Sequence, residues 1–163
     1  MVTSIRRTGE RGLRTPRNLD TYQEKGGVKG AGYCECGAVF RNKRWFREEI
    51  GSETQEGHEL VCPACRRIAD NNPAGIVSLS GDYFDVHETE IHNLINNTAQ
   101  GAVTKNPLGR VIDISRDKVG VTITTTDVKL AQKIGRDVYK SHSGHLQFVW
   151  SNAESPVRVI WSR

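Results

Sequence analysis

All four cysteines of this 163-residue chain fall in two close pairs, Cys34-Glu35-Cys36 and Cys62-Pro63-Ala64-Cys65. Cysteines spaced this way enclose too little chain to stabilise a fold by cross-linking, but they suit a metal that takes soft thiolate ligands. A tetrahedral zinc site needs four sulfurs converging from two turns whose backbone amides point at them. Gly37 follows the first pair and Pro63 lies inside the second, both residue types that favour turns. The second pair has the usual two-residue spacer, and the first is one residue shorter. We therefore expect a zinc ion held by Cys34, Cys36, Cys62 and Cys65 in a small zinc ribbon. The alternative is four reduced thiols, two of them buried as small apolar groups. His58, four residues before Cys62, is either a substitute ligand or a surface histidine of the same module.

A chain of this length can hold one ordinary domain plus a small appendage, and bound metal would supply folding energy that a short ribbon cannot draw from its own core. The expected division is a basic arm over residues 1–32, the ribbon over 33–72 and an α+β domain over 73–163. Charge is unevenly spread. Residues 1–48 contain 11 Lys/Arg against 5 Asp/Glu, whereas residues 49–163 contain 12 against 14. The arm carries Arg6, Arg7, Arg11, Arg14 and Arg17, ends in Gly26, Gly27, Gly30 and Gly32, and has no helical or strand periodicity, so we expect it to be disordered when free. Such a positive excess favours a polyanionic partner through counterion release, with a merely solubilising tail as the alternative. No apolar run is long enough to span a bilayer and none follows the arginines, which leads us to expect a cytoplasmic protein.

Between the cysteine pairs, Arg41, Lys43, Arg44, Trp45, Phe46 and Arg47 place cations next to aromatics. Phosphate-binding cations beside base-stacking rings make these six the candidate nucleic-acid contacts. The competing expectation is that Trp45 and Phe46 pack the ribbon core while the cations face water. Glu53, Glu56 and Glu59 read as a solvated loop.

From Pro73 the pattern becomes regular. Ile76 to Phe84 reads as a strand, and Asp85 with Glu88 reads as the capped start of a helix carrying Ile91, Leu94, Ile95, Ala99, Ala102 and Val103. Arg110 to Ser115 and Val119 to Thr125 form a hairpin around Asp117-Lys118. Asp127 caps a second helix with Leu130, Ala131, Ile134 and Val138 on one stripe and a stop at Gly144. Alternating Leu146, Phe148 and Trp150, then Val157, Val159 and Trp161, close the chain as strands. The order strand, helix, strand, strand, helix, strand is that of a ferredoxin-like split βαβ unit, so the fold class is α+β. Its free sheet face would carry Thr122, Thr124 and either Trp150 or Trp161.

The segment from Cys62 to Trp150 resembles the central part of the Nmd-three family of large-ribosomal-subunit export adapters. The likeness is carried by Cys62-Pro-Ala-Cys65 followed by strand, helix, hairpin and a helix containing Ala131-Gln132-Lys133, together with the opening Tyr33-Cys34-Glu35-Cys36-Gly37. The resemblance implies binding to ribosomal RNA or to a ribosomal subunit through a zinc region and an adjoining α+β domain. Family members carry more cysteine pairs and further domains, so a short prokaryote-type relative is the better fit and export is not carried over.

A catalytic alternative would have to be built from His87, His92, His142 and His145 with Glu88, Glu90, Asp113 and Asp127. His87 and His92 are five apart and do not share a helix face, and the chain contains no Gly-rich phosphate loop, nucleophile elbow or His-Glu-x-x-His sequence. Lys105-Asn-Pro-Leu-Gly-Arg110 reads as a turn flanked by cations. We expect a non-catalytic zinc protein that binds RNA on the ribosome. A zinc module for protein or DNA contacts is the first alternative, and a hydrolase the second.

Overall fold

The computed structural model describes Tyr22 and residues 30–47, 57–150 and 156–163. The expected basic arm therefore lies outside the described residues except for Tyr22 and its last three positions, as do Glu53 and Glu56. The described residues form two sheets. Strands β1 (Gly32–Tyr33), β2 (Ala38–Arg41), β3 (Arg44–Arg47) and β4 (His58–Glu59) are ordered β3-β2-β1-β4 and lead into helix α1 (Pro63–Ala69). The larger sheet contains β5 (Gly75–Ser80), β6 (Val111–Arg116), β7 (Gly120–Thr125), β8 (His145–Val149) and β9 (Val157–Ser162). Helices α2 (Asp82–Val86) and α3 (Glu88–Lys105) join β5 to β6, and α4 (Val128–His142) joins β7 to β8.

The α+β class expected from the sequence holds, with one difference in the sheet. Its order is β6-β7-β5-β9-β8, and β9 runs parallel to β5. β7 lies between β5 and β6, which is the split βαβ relation, but a ferredoxin-like sheet of four strands is interrupted here by β9 between β5 and β8. Burial explains the placement. Val157, Val159 and Trp161 of β9 are fully buried, whereas His145 and Gln147 of β8 are exposed and suit an edge.

Registers Val77↔Ile123 and Val77↔Val159 set three β-branched side chains in a row across the centre of the sheet. Ile91 and Ile95 of α3, and Leu130, Ala131, Ile134 and Val138 of α4, cover this row as one core. The spacings i, i+4 and i, i+3/i+4 put these residues on one helical face, which is why the helical periodicity is readable. Thr98 of α3 donates to Asp137 of α4 at 3.0 Å, and Lys133 pairs with the same carboxylate at 2.6 Å.

Local boundaries differ in three places. The strand expected to run to Phe84 ends at Ser80, because Gly81 turns the chain at φ +111 and α2 returns Phe84 to the core. Asp85 then lies within α2, and His87 occupies the N-cap of α3. Trp161, expected as an alternative on the free face, is buried beneath the helices and donates its indole N–H to the Ser143 carbonyl at 2.6 Å. Trp150 packs against the same core. The stop after α4 is as expected, with Ser143 and Gly144 at φ 57 and 92. No helix among the described residues is long and apolar enough to cross a membrane.

Two helical glycines separate propensity from packing. A Cβ on Gly101 of α3 would meet nothing, whereas one on Gly135 of α4 would collide with the Val159 side chain of β9. Gly101→Ala is expected to stabilise the protein by about 1 kcal/mol, a rise in Tm of roughly 2–4 °C. Gly135→Ala gains the same propensity but overpacks the helix–sheet seam at a cost of about 1–3 kcal/mol, so its Tm should fall. Thermal unfolding followed by far-UV circular dichroism checks both signs.

Candidate metal centre

The first cysteine pair sits in the turn between β1 and β2. Cys34 N–H donates to the Ala38 carbonyl at 2.8 Å and Gly37 N–H to the Cys34 carbonyl at 2.9 Å. Gly37 takes φ +87, a conformation that disfavours a side chain, so the glycine after Cys36 is what lets the knuckle close. The second pair arrives from β4, where Leu60 N–H bonds to the Tyr33 carbonyl at 2.7 Å. Cys62 is the N-cap of α1 and Pro63 its first residue, where the missing proline N–H costs no helical bond. The second pair thus opens a helix, a feature the expected ribbon did not include.

These turns bring the sulfurs together. All four Sγ atoms lie within 4.8 Å of one another, with Cys34–Cys65 at 3.7 Å and Cys36–Cys62 at 3.6 Å. A tetrahedral tetrathiolate with a metal–sulfur bond of about 2.3 Å has an S–S edge of about 3.8 Å, so these two edges fit closely. A disulfide would need about 2.05 Å, and all four cysteines are free. Four cysteines in this arrangement can hold a metal ion. His58 is exposed on β4 and is not part of the group.

Backbone amides already point at two of the sulfurs. Cys62 N–H donates to Cys34 Sγ at 3.3 Å, tying one knuckle to the other, and Cys65 N–H donates to Cys62 Sγ at 3.4 Å. Burial disfavours the Cys34 thiolate, but the amides of Cys62 and Cys36 and the neighbouring thiols outweigh it and bring its pKa down to about 7. At Cys62 burial dominates and pushes the thiol well up, and burial raises Cys65 as well. A dication would reverse this balance by taking the thiolates as ligands and releasing their protons. With four protein ligands the shell is closed, which is the arrangement of a structural site and not of one that activates water.

One element of the centre comes from the larger sheet's connections. Arg110 Nη1 donates to Cys65 Sγ at 3.3 Å, and Leu108 packs on the small cluster of Cys34, Ala38, Cys62 and Ala64 together with Trp45. From sequence, Lys105 to Arg110 is a plain connection, and nothing local marks it as a wall of the metal centre.

The six candidate nucleic-acid residues divide between two faces. Asn42 and Lys43 both have positive φ in a two-residue hairpin turn, which sets the register Arg41↔Arg44, Phe40↔Trp45, Val39↔Phe46 and Ala38↔Arg47. Trp45 turns inward, its ring 5.2 Å from Phe40, and is half-buried against the cysteine cluster. Of the two aromatics, Trp45 therefore serves the core. Phe46 is 44% exposed and shares the outer face with Arg41 and Arg44, with Lys43 at the tip. Arg47 shares the inner face and lines a cleft with Arg110.

Two of the catalytic candidates, His87 and His142, meet at Tyr83 with ring centroids 6.3 Å apart, and Glu90 lies 3.3 Å from His87 Nδ1. His87 stacks on Tyr83 at 4.1 Å, and His142 Nδ1 lies 3.2 Å from the Tyr83 hydroxyl. His92, Asp113 and His145 are exposed on other elements, and Asp127 is at the N-cap of α4. Burial raises the Asp127 carboxyl against the pull of the Lys129 and Leu130 amides.

Compared with protein-family models, with curated proteins and with solved structures, the chain has no significant match.

Metal analysis of the reduced protein is expected to give one divalent ion per chain; less than half an equivalent, with four freely titratable thiols, would refute the site. Because Cys62 and Cys65 hold their protons more tightly than free thiols, loading near neutral pH must release both, and affinity should fall as pH falls. Competition with a chelator across pH, with proton release followed by an indicator dye, measures this. Chelation should disorder the hairpin and α1 while the larger sheet, whose core contains no cysteine, keeps its thermal transition.

Proposed function

We propose that this chain is a non-catalytic zinc protein that binds ribosomal RNA or a ribosomal subunit through the β2–β3 hairpin. The observation that carries the reading is the outer face of that hairpin, where exposed Phe46 lies beside Arg41 and Arg44 with Lys43 at the tip. Arginine and lysine gain affinity by displacing counterions from phosphates, and an exposed ring offers a sequence-tolerant stacking surface. The positive excess in the first 48 residues and the Nmd-three-like order of elements support the same class of partner. Zinc is the metal that four thiolates at tetrahedral separations favour. It would hold the two knuckles together and so fix the hairpin that Trp45 anchors. Four free cysteines suit a cytoplasmic setting, where thiols stay reduced.

Replacing Arg41, Lys43, Arg44 and Arg47 together with Ala should reduce the slope of log affinity against log salt by roughly 0.7–0.9 for each phosphate that the variant no longer neutralises. Fluorescence anisotropy with labelled ribosomal RNA fragments reads this, after zinc content shows that the variant still loads metal. An unchanged slope in the folded variant moves the binding surface elsewhere. A wild-type protein with no RNA affinity at low salt rejects the reading in favour of a zinc module for protein contacts.

A further inference from the structure

Between the hairpin and α3 lies a cleft of about 680 Å³. Its cations are Arg47 of β3 and Arg110 before β6, its polar uncharged groups are Gln100 and Thr104, and Ala99 and Val103 supply an apolar surface. A smaller cleft of about 170 Å³ shares Arg47, Val103 and Arg110 and reaches Cys36 and Gly37 beside the sulfurs. The larger one is in the size range of small-molecule sites, and its lining combines what a nucleotide needs: positive charge, amide hydrogen bonding and an apolar wall.

The helix that forms the far wall has an unusual composition. From Ile91 to Thr104, α3 carries no Lys, Arg, Asp or Glu, although Asn93, Asn96, Asn97, Gln100 and Thr104 are all exposed. Asn, Thr and Gly are poor helix formers, and a face meant only for water would gain stability from Glu and Lys pairs. An amide-rich face is instead suited to base edges, since Asn and Gln can pair with adenine through a donor and an acceptor at once.

Arg110 connects the two halves of this arrangement. Its Nη1 donates to Cys65 Sγ at 3.3 Å, which holds the guanidinium at the rim that the two clefts share.

We propose that this cleft holds one nucleotide of a single-stranded RNA segment, with Arg47 and Arg110 on its phosphate and Gln100 on its base edge, adenine being the preferred base. The inference rests on the RNA-binding reading above and adds a site that discriminates bases, which the outer hairpin face does not.

The test compares zinc-loaded full-length protein on short oligoadenylate and oligouridylate by fluorescence anisotropy. Wild type should prefer oligoadenylate, and Gln100→Ala should reduce that preference by about 5-fold or more, the low end of what one bidentate base contact supplies. Arg47→Ala should weaken both oligomers and lower the salt slope. The double variant Arg41→Ala/Arg44→Ala, on the outer face, should weaken both while leaving the preference intact. Zinc content and Tm verify the fold of each variant. If both oligomers bind but wild type shows no preference, or Gln100→Ala keeps it, the cleft is not the base site and only this inference falls. If neither oligomer nor ribosomal RNA binds at low salt, the RNA reading falls with it.

Discussion

The convergence of four sulfurs within 4.8 Å is the constraint on which the small sheet depends. Its buried cluster consists of Cys34, Ala38, Cys62 and Ala64, far too little apolar surface to offset the entropy of ordering four short strands and a helix. Two of the four strands are only two residues long. What holds β1, β4 and the start of α1 together is therefore the set of bonds around the knuckles, including the amide of Cys62 on the sulfur of Cys34. The same burial that disfavours a thiolate at Cys62 makes the group a good home for a dication, whose charge the thiolates compensate.

The larger sheet stands on a different basis. Its core runs from Val77 to Trp161 and includes both faces of a helix–sheet interface, without any cysteine. Yet the two sheets are not indifferent to one another. Leu108 fills the small cluster and Arg110 bonds to Cys65. The loop between α3 and β6 is thus shared between the sulfur cluster and the cleft, so the state of the first bears on the geometry of the second.

Much of the site was legible because its chemistry is local. Cysteine spacing, the glycine after Cys36 and the proline after Cys62 each act within one turn, and each does in the structure what its residue type favours. The helical stripe of Leu130, Ala131, Ile134 and Val138 was legible for the same reason. The hairpin aromatics were not. Adjacent residues in a strand point to opposite faces, so Trp45 and Phe46 had to part company, but which of them faced inward was decided by Phe40 and the sulfur cluster across the strand pair. Helix α1 was not legible because a cysteine knuckle and a helix N-cap make the same demand on the residues around Pro63.

By itself the sequence determined the four cysteines as a candidate donor set, the α+β class and the buried stripe of α4, since all of these follow from spacing along a few turns or strand repeats; of the stripe expected on α3 only Ile91 and Ile95 are buried, joined by Thr98. Tertiary structure alone decided that β9 enters the sheet beside β5, that Trp161 lies under the helices, and that Arg110 reaches Cys65 from 45 positions away. The reason is that β8 and β9 present similar alternating patterns, and only competition for the covered centre of the sheet places the more deeply apolar one inside. A long-range hydrogen bond such as that of Arg110 leaves no periodic trace in the chain, because it depends on where two independently packed surfaces meet.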